Sequence, residues 1–216
     1  MTSFKLNINL ENTRSWMFDR QETLLTADTW QMIHVNKNIE SKILICKEGL
    51  FPIVQATSTI PTSAEKLFDY LVIKLSDTCH EWNDVMYHAS VLQKINDYAQ
   101  ISVVISDGKP LSDREDVFLQ IFEKHNNGTL YEMSVGFDES QIPLTQNARR
   151  TCVRSKLHFC SKQITPISES SCRYTTIWHY DPAGWASRLL PKKYFGTIIL
   201  KNLVHEHQKI QSLLHR

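Results

Sequence analysis

Hydrophobic periodicity switches along this chain, and the switches leave few folds open. A short helical stretch over Arg14–Thr26 comes first. Trp30–Val35, Lys42–Lys47 and Phe51–Ile60 then alternate or run apolar, as strands do. Glu48-Gly49 sits between the last two as a hairpin turn. Leu67, Phe68, Leu71, Val72 and Leu75 follow at helical spacing, ending near Asp77. Thr62 and Glu65 read as the capping box of that helix. From Val85 the pattern is extended again, over Val85–Leu92, Tyr98–Ile105, Glu115–His125, Leu130–Phe137, Thr151–Thr165 and Ser171–Tyr180. A last stretch, from about Ser187 to Leu214, puts Phe195, Ile198, Ile199, Leu203, Ile210 and Leu213 on one helix face. Strands joined by short turns pair antiparallel, and helices packed on such a sheet give an α+β fold.

Composition narrows the function. The six glycines match neither a dinucleotide fingerprint nor a P-loop. Lys and Arg number 24 against 23 Asp and Glu, which argues against a nucleic-acid binder. The charges are split, however: residues 141–216 hold 12 Lys and Arg and only Glu169, Asp181 and Glu206 as acids. No apolar run is long enough to span a membrane. Met1–Glu11 has no apolar core of a signal peptide, and the five cysteines show no C-x-x-C. Reduced thiols and a cytoplasmic location are expected.

Few residues suggest chemistry. His205 and His207 are two apart and do not share a helix face, so solvated side chains are expected rather than a metal site. Cys152, His158 and Cys160 lack the tight pair of a closed zinc site. Asp77, His80 and Glu81 read as a helix terminus. No catalytic residue, metal or cofactor is expected. The aromatic faces say more. Trp178 and Tyr180 share one strand face, Phe118 and Phe122 another, and Tyr131, Met133 and Val135 a third. Each is either core or the wall of a cavity, and the pattern alone favours core.

Five segments then resemble a known family in order and spacing. They are Glu81-Trp82-Asn83, Val91–Ile95, Ser112–Val117, Val153-Arg154-Ser155 with Ile164–Ile167, and Asp181–Trp185. Together, over Trp30 to Leu214, they resemble the START (StAR-related lipid transfer) domain. The resemblance implies a helix-grip fold. In it a curved antiparallel sheet wraps a long C-terminal helix and encloses a hydrophobic tunnel. Residues 1–29 would be an extension and residues 30–216 the lipid-binding domain. It implies a cavity lined by Val104, Arg114, Asp116, Phe118, Gln120, Tyr131, Met133, Trp178 and Tyr180 from the strands. Phe195, Ile199 and Leu203 would line it from the helix.

Departures from the family pattern leave the ligand open. Val104 and Gln120 stand where sterol-carrying members have an acid and a base, and Cys79 falls near the basic position of phosphatidylcholine binders. Asp116 replaces an aromatic residue and is expected either to face inward, to pair with Arg114, or to sit exposed at an edge. Pro191 predicts a bend in the last helix or a regular helix beginning there.

The expected function is non-enzymatic lipid binding and transfer between membranes, by a monomer. The last helix and the Asp107–Leu111 loop would be the gate. Trp185, Arg188, Lys192, Lys193 and Lys201 would dock on an anionic membrane surface transiently. The alternatives are a lipid-sensing interaction module of a larger protein and, last, a helix-grip enzyme. Asp116, His158 or His179 clustered round a polar pocket would favour the enzyme.

Overall fold

A computed structural model describes residues 8–33, 36–46, 51–109, 112–145, 147, 151–184 and 191–215. The chain opens with α1, Leu10–Leu25, whose Asn9 cap accepts a hydrogen bond from the Asn12 amide at 3.1 Å. Three strands follow: β1 Gln31–Met32, β2 Glu40–Leu44 and β3 Ile53–Ile60. A helical segment comes next. It consists of α2 Ala64–Phe68, a π-helical turn Asp69–Ile73 and α3 Leu75–Trp82. Its cap is Ser63, which accepts from the Lys66 amide at 3.2 Å. The expected cap, Thr62, lies one residue too early. The regular helix also runs past Asp77, ending at Trp82 with Asn83 as its cap, because the wider turn resets the spacing.

Seven strands complete the sheet: β4 Met86–Lys94, β5 Ala99–Ser106, β6 Asp113–Lys124, β7 Leu130–Gly136, β8 Cys152–Arg154, β9 Lys156–Ser168 and β10 Ser171–Asp181. The order is β1-β2-β3-β10-β9-β7-β6-β5-β4, antiparallel throughout, with the short β8 added parallel to β6. The sheet curves without closing, and β4 and β1 are its edges. β4 carries two register shifts, at Met86/His88 and Val91/Gln93. Gly128 makes the β6–β7 turn with φ +81°, a conformation glycine adopts without strain.

α4, Lys192–Leu214, packs along β3 and β2. Pro191 stands just outside it, where a missing N–H costs nothing. Thus the second of the two expectations for this proline describes the helix, whose regular part starts after it. Residues 185–190 lie outside the described residues.

Both faces of the sheet are covered. Alternation sends Met133, Ile101, Ile121 and Phe159 outward, where they pack with Met17 and Leu24 of α1. It sends Val104, Phe118, Leu130, Ile164 and Tyr174 inward, against α2, α3 and Ile210 of α4. A third cluster joins Ile39, Ile43, Val54 and Ala56 to Ile199, Leu200, Leu203 and Val204 of α4. The helix-grip architecture expected from the sequence is therefore present. Among the described residues no helix is long and apolar enough to cross a membrane.

Candidate functional site: a cavity under the C-terminal helix

Between the inner sheet face and α4 lies a cavity of about 330 Å³. Its wall is largely apolar, with Val104, Phe118, Leu157 and Trp178 from the strands and Phe195, Ile198 and Ile199 from α4. Leu75, Trp82 and Met86 close one side. Ligand sites are built in this way, with an apolar body and a few placed polar groups.

The polar groups fall into two sets. Near the Asp107–Lys109 loop, Arg114 donates from Nε to the Pro182 carbonyl at 2.6 Å, and from Nη1 to the carbonyls of Ser112 at 2.5 Å and Asp113 at 3.4 Å. Two residues along the same face, Asp116 accepts a hydrogen bond from the Ser155 hydroxyl. Burial pushes the Asp116 carboxyl up to about 6, against the pull of Ser155, Arg154 and Arg114. Tyr180 completes this set, and burial raises its phenol well above the ordinary range.

The second set lies deeper. Lys162 on β9 reaches Glu132 on β7 at 2.8 Å, with side chains 12% and 0% exposed. Desolvation, the largest single effect, pulls the Lys162 ammonium down, but the charge and hydrogen bond of Glu132 and the other acidic groups around it, Cys160 and Tyr174, together outweigh it, and the proton is held more firmly than in water. Ser134 donates to Glu132, and the Gln120 amide lies 3.3 Å from it. Glu206 of α4 accepts from the Asn83 side-chain amide, and burial pushes its carboxyl up to about 8.

Three consecutive α4 residues thus have three different surroundings. His205 meets Asp84 at 2.9 Å on the surface, and Lys209 joins the same carboxylate. Glu206 lines the cavity. His207 is fully buried, 2.8 Å from Ser58 Oγ and 3.2 Å from Thr176 Oγ1, and stacks on Tyr174. Burial holds its imidazole neutral, down at about 3.

Eight of the twelve residues expected at the cavity line it: Val104, Arg114, Asp116, Phe118, Trp178, Tyr180, Phe195 and Ile199. Four do not. Gln120 faces inward but is tied to Gln100 at 2.9 Å and Ser102 at 2.5 Å, away from the cavity. Tyr131 and Met133 lie on the outer face of β7. Tyr131 contacts Phe18 and His125 there, and Met133 packs with Met17. The apolar face of β7 meets α1, and the face carrying Glu132 and Ser134 turns inward, opposite to the expectation. Leu203 is buried against β2 and β3.

Sequence reasoning overlooked Lys162, Glu206, Asn202 and Leu157, which also line the cavity. Lys162 carried a signal, since it alternates with Cys160 on the face opposite Phe159. Among the expected docking residues, Lys193 and Lys201 are exposed and Lys192 lies 5.3 Å over the Phe51 ring. Trp185 and Arg188 lie outside the described residues. His158 and His179 pair on the outer face, 4.6 Å between ring centroids, apart from Asp116. Cys160 faces the cavity, so Cys152, His158 and Cys160 do not converge. Among the described residues no group of His, Cys, Asp and Glu suits a metal ion.

The START domain family matches residues 19–214. No curated protein sequence matches the chain. Among solved structures, human StAR-related lipid transfer protein 5 is similar with a TM-score of 0.80 at 14% identity, over 95% of this chain and 96% of that one. Human STARD10 gives 0.74 at 15%, over 98% and 82%. A STAR-related lipid transfer protein fragment from Xanthomonas axonopodis gives 0.69 at 14%, over 88% and 100%. At these identities the structural likeness is one of fold.

Proposed function

The chain belongs to the START domain family, and from that premise we propose that it is a non-enzymatic carrier that binds one lipid and moves it between membranes. The observation that carries this reading is the cavity of about 330 Å³ between the inner sheet face and α4, apolar along most of its wall. Each methylene taken from water into such a space gains about 0.8 kcal/mol. A membrane offers nearly the same gain, so exchange with a bilayer is close to balanced. The names of the human and Xanthomonas axonopodis relatives, which speak of lipid transfer, agree with this use.

The gate is assigned to the first half of α4 and the Asp107–Lys109 loop, which face each other across the cavity. The ties of α4 support this division. Its second half is held by His205 and Lys209 to Asp84, by His207 to Ser58 and Thr176, and by Gln211 to the Thr59 carbonyl. Its first half rests on apolar contacts such as Phe195 with Phe51. Segments that open for ligands come from the less stable parts of a fold. Lys193, Tyr194 and Lys201 are exposed here, and on this reading they meet an anionic bilayer with Lys192, Trp185 and Arg188. Each basic residue contributes about 1 kcal/mol there. Residues 1–29 are assigned to an extension whose helix covers the outer face, and the carrier acts as a cytoplasmic monomer.

Native mass spectrometry of the purified chain, with a vesicle-to-vesicle transfer assay, tests the proposal. A bound lipid and transfer that slows when Lys192 and Lys193 are changed to Glu are expected. Occupancy without transfer turns the reading into that of a lipid sensor. An empty cavity that takes up no lipid ends it.

A further inference from the structure

Counting Glu132 behind Lys162, the cavity wall carries one more acid than base. Lys162 is neutralised by Glu132 at 2.8 Å. Arg114 and Asp116 lie on one face of β6 and offset each other. Glu206 remains. It is 8% exposed, lines the cavity, and its hydrogen-bond partner is the neutral Asn83 amide. No Lys, Arg or His makes an ion pair with it among the described residues. The groups that face it are Lys162 and Cys160 from β9, Tyr174 from β10, and Glu132 behind Lys162.

An unpaired carboxyl in such a place stays protonated, because ionising it would strand a charge in a low dielectric. The burial that pushes it to about 8 agrees. A protonated carboxyl has one O–H to donate. Asn83 occupies the Oε1 side, which leaves the other oxygen for a ligand. Phe195, Ile199, Asn202 and Glu206 follow one another at helical spacing along the cavity, so an aliphatic chain beside Phe195 and Ile199 brings its polar end toward Glu206.

We propose that Glu206 is the polar anchor of the cavity, donating its proton to an oxygen of an uncharged lipid head, a hydroxyl or a carbonyl, and that it selects against lipids whose buried head is an anion. This rests on the carrier reading above. Among the described residues a buried phosphate or carboxylate would find no cation of the wall without partners, and Lys109 meets Asp107 at 2.9 Å. Lys162 is already paired, and the Nε and Nη1 of Arg114 are taken by carbonyls. A buried ammonium at Glu206 would stand near the like charge of Lys162, whose field already acts on that carboxyl. The volume, about 330 Å³, lies at the small end of ligand cavities, which suits one compact lipid with a single polar end.

The test uses four probes that share one tetradecyl chain: tetradecanol, tetradecylamine, tetradecanoate and tetradecyl phosphate. Trp82 and Trp178 line the cavity, so binding is read by tryptophan fluorescence and checked by native mass spectrometry. At pH 7 tetradecanol is expected to bind about tenfold more tightly than either anion, because the anion would be buried without a counter-charge. At pH 9.5 Glu206 has lost the proton it donates, and the affinity of the native chain for tetradecanol falls. Glu206→Gln keeps a donor and cannot ionise, so its affinity for tetradecanol stays level from pH 7 to 9.5. Glu206→Leu binds tetradecanol about tenfold more weakly. Equal binding of alcohol and anions, a preference for the amine, or matching pH profiles of the native and Glu206→Gln chains overturns the proposal. If Glu206→Leu does not fold, the Glu206→Gln profile decides alone. If no probe binds the native chain at any pH, the carrier reading itself fails, a different result from binding without discrimination.

Discussion

Arg154 Nη2 lies 2.6 Å from Glu115 Oε1, with the two side chains 4% and 0% exposed. The same guanidinium donates to the carbonyls of Phe137, Ile142 and Pro143 at 3.2, 3.0 and 3.2 Å. The Thr145 amide donates to Glu115 at 2.9 Å. One buried pair therefore fastens β8, β6 and the 137–145 loop together. Removing one member leaves a buried charge alone, so Arg154→Leu and Glu115→Leu are each expected to cost about 3–5 kcal/mol in urea unfolding. The double change costs less than the sum. Strict additivity would show that the pair is not coupled.

A methyl group at Gly196 would stand 2.8 Å from Pro52 Cγ and 3.0 Å from Ile43 Cδ1. Alanine gains about 1 kcal/mol of helix propensity over glycine. Overpacking costs about 1–3 kcal/mol, and the Pro52 ring yields little. Gly196→Ala is therefore expected to lower the melting temperature and to loosen the first half of α4 from β2 and β3. A melting temperature at or above that of the native chain contradicts this.

Val104 is 6% exposed and forms part of the cavity wall. Val104→Trp fills the space that a lipid would use. Lipid uptake is expected to fall at least tenfold, about 1.4 kcal/mol or more, while the circular dichroism spectrum stays native. Undiminished uptake by the folded variant would place the lipid elsewhere.

Stability should depend on pH with two opposed slopes. Burial raises Glu206 from 4.5 to about 8, so the folded chain keeps a proton that the unfolded chain releases in that window. This contribution is complete below pH 4.5 and is lost as pH rises through 8. Burial lowers His179 and His207 from 6.5 to about 4 and about 3. Their contribution is present above 6.5 and lost as pH falls toward those values. Between pH 6.5 and 8 the Glu206 slope stands alone against these histidines, worth about 2 kcal/mol. Thermal unfolding of Glu206→Gln should lack that loss. A native chain with a flat profile over the same range would refute the assignment.

Element order and type were legible because period 2 and period 3.6 alternate cleanly along the chain. The cavity was legible where an aromatic stripe faces inward, as at Phe118, Trp178 and Tyr180. It was misread on β7 because both faces of that strand are buried. The apolar face of Tyr131 and Met133 meets α1, while Glu132 and Ser134 point inside with Lys162 as neutralising partner. Alternation tells which residues share a face, and it does not tell which side the helix lies on. Two-residue spacing makes His205 and His207, with Glu206 between them, look like solvated helix residues, yet His207 is buried, and of the neighbours His205 and Glu206 only the first is exposed. The 100° turn between them carries one to Asp84 at the surface and the other to Asn83 inside.

The two register shifts in β4 bear on how the chain behaves in company. β4 is an edge, and a long flat edge offers unpaired amides and carbonyls to any strand that drifts near. Breaks in the ladder at Met86/His88 and Val91/Gln93 twist this margin and leave no straight run of more than a few residues to copy. Val91 is exposed in the middle of the strand, so straightening the edge by removing the second bulge would turn it into a seed for intermolecular β-pairing. What reads as an irregularity within one molecule is a guard against aggregation among many.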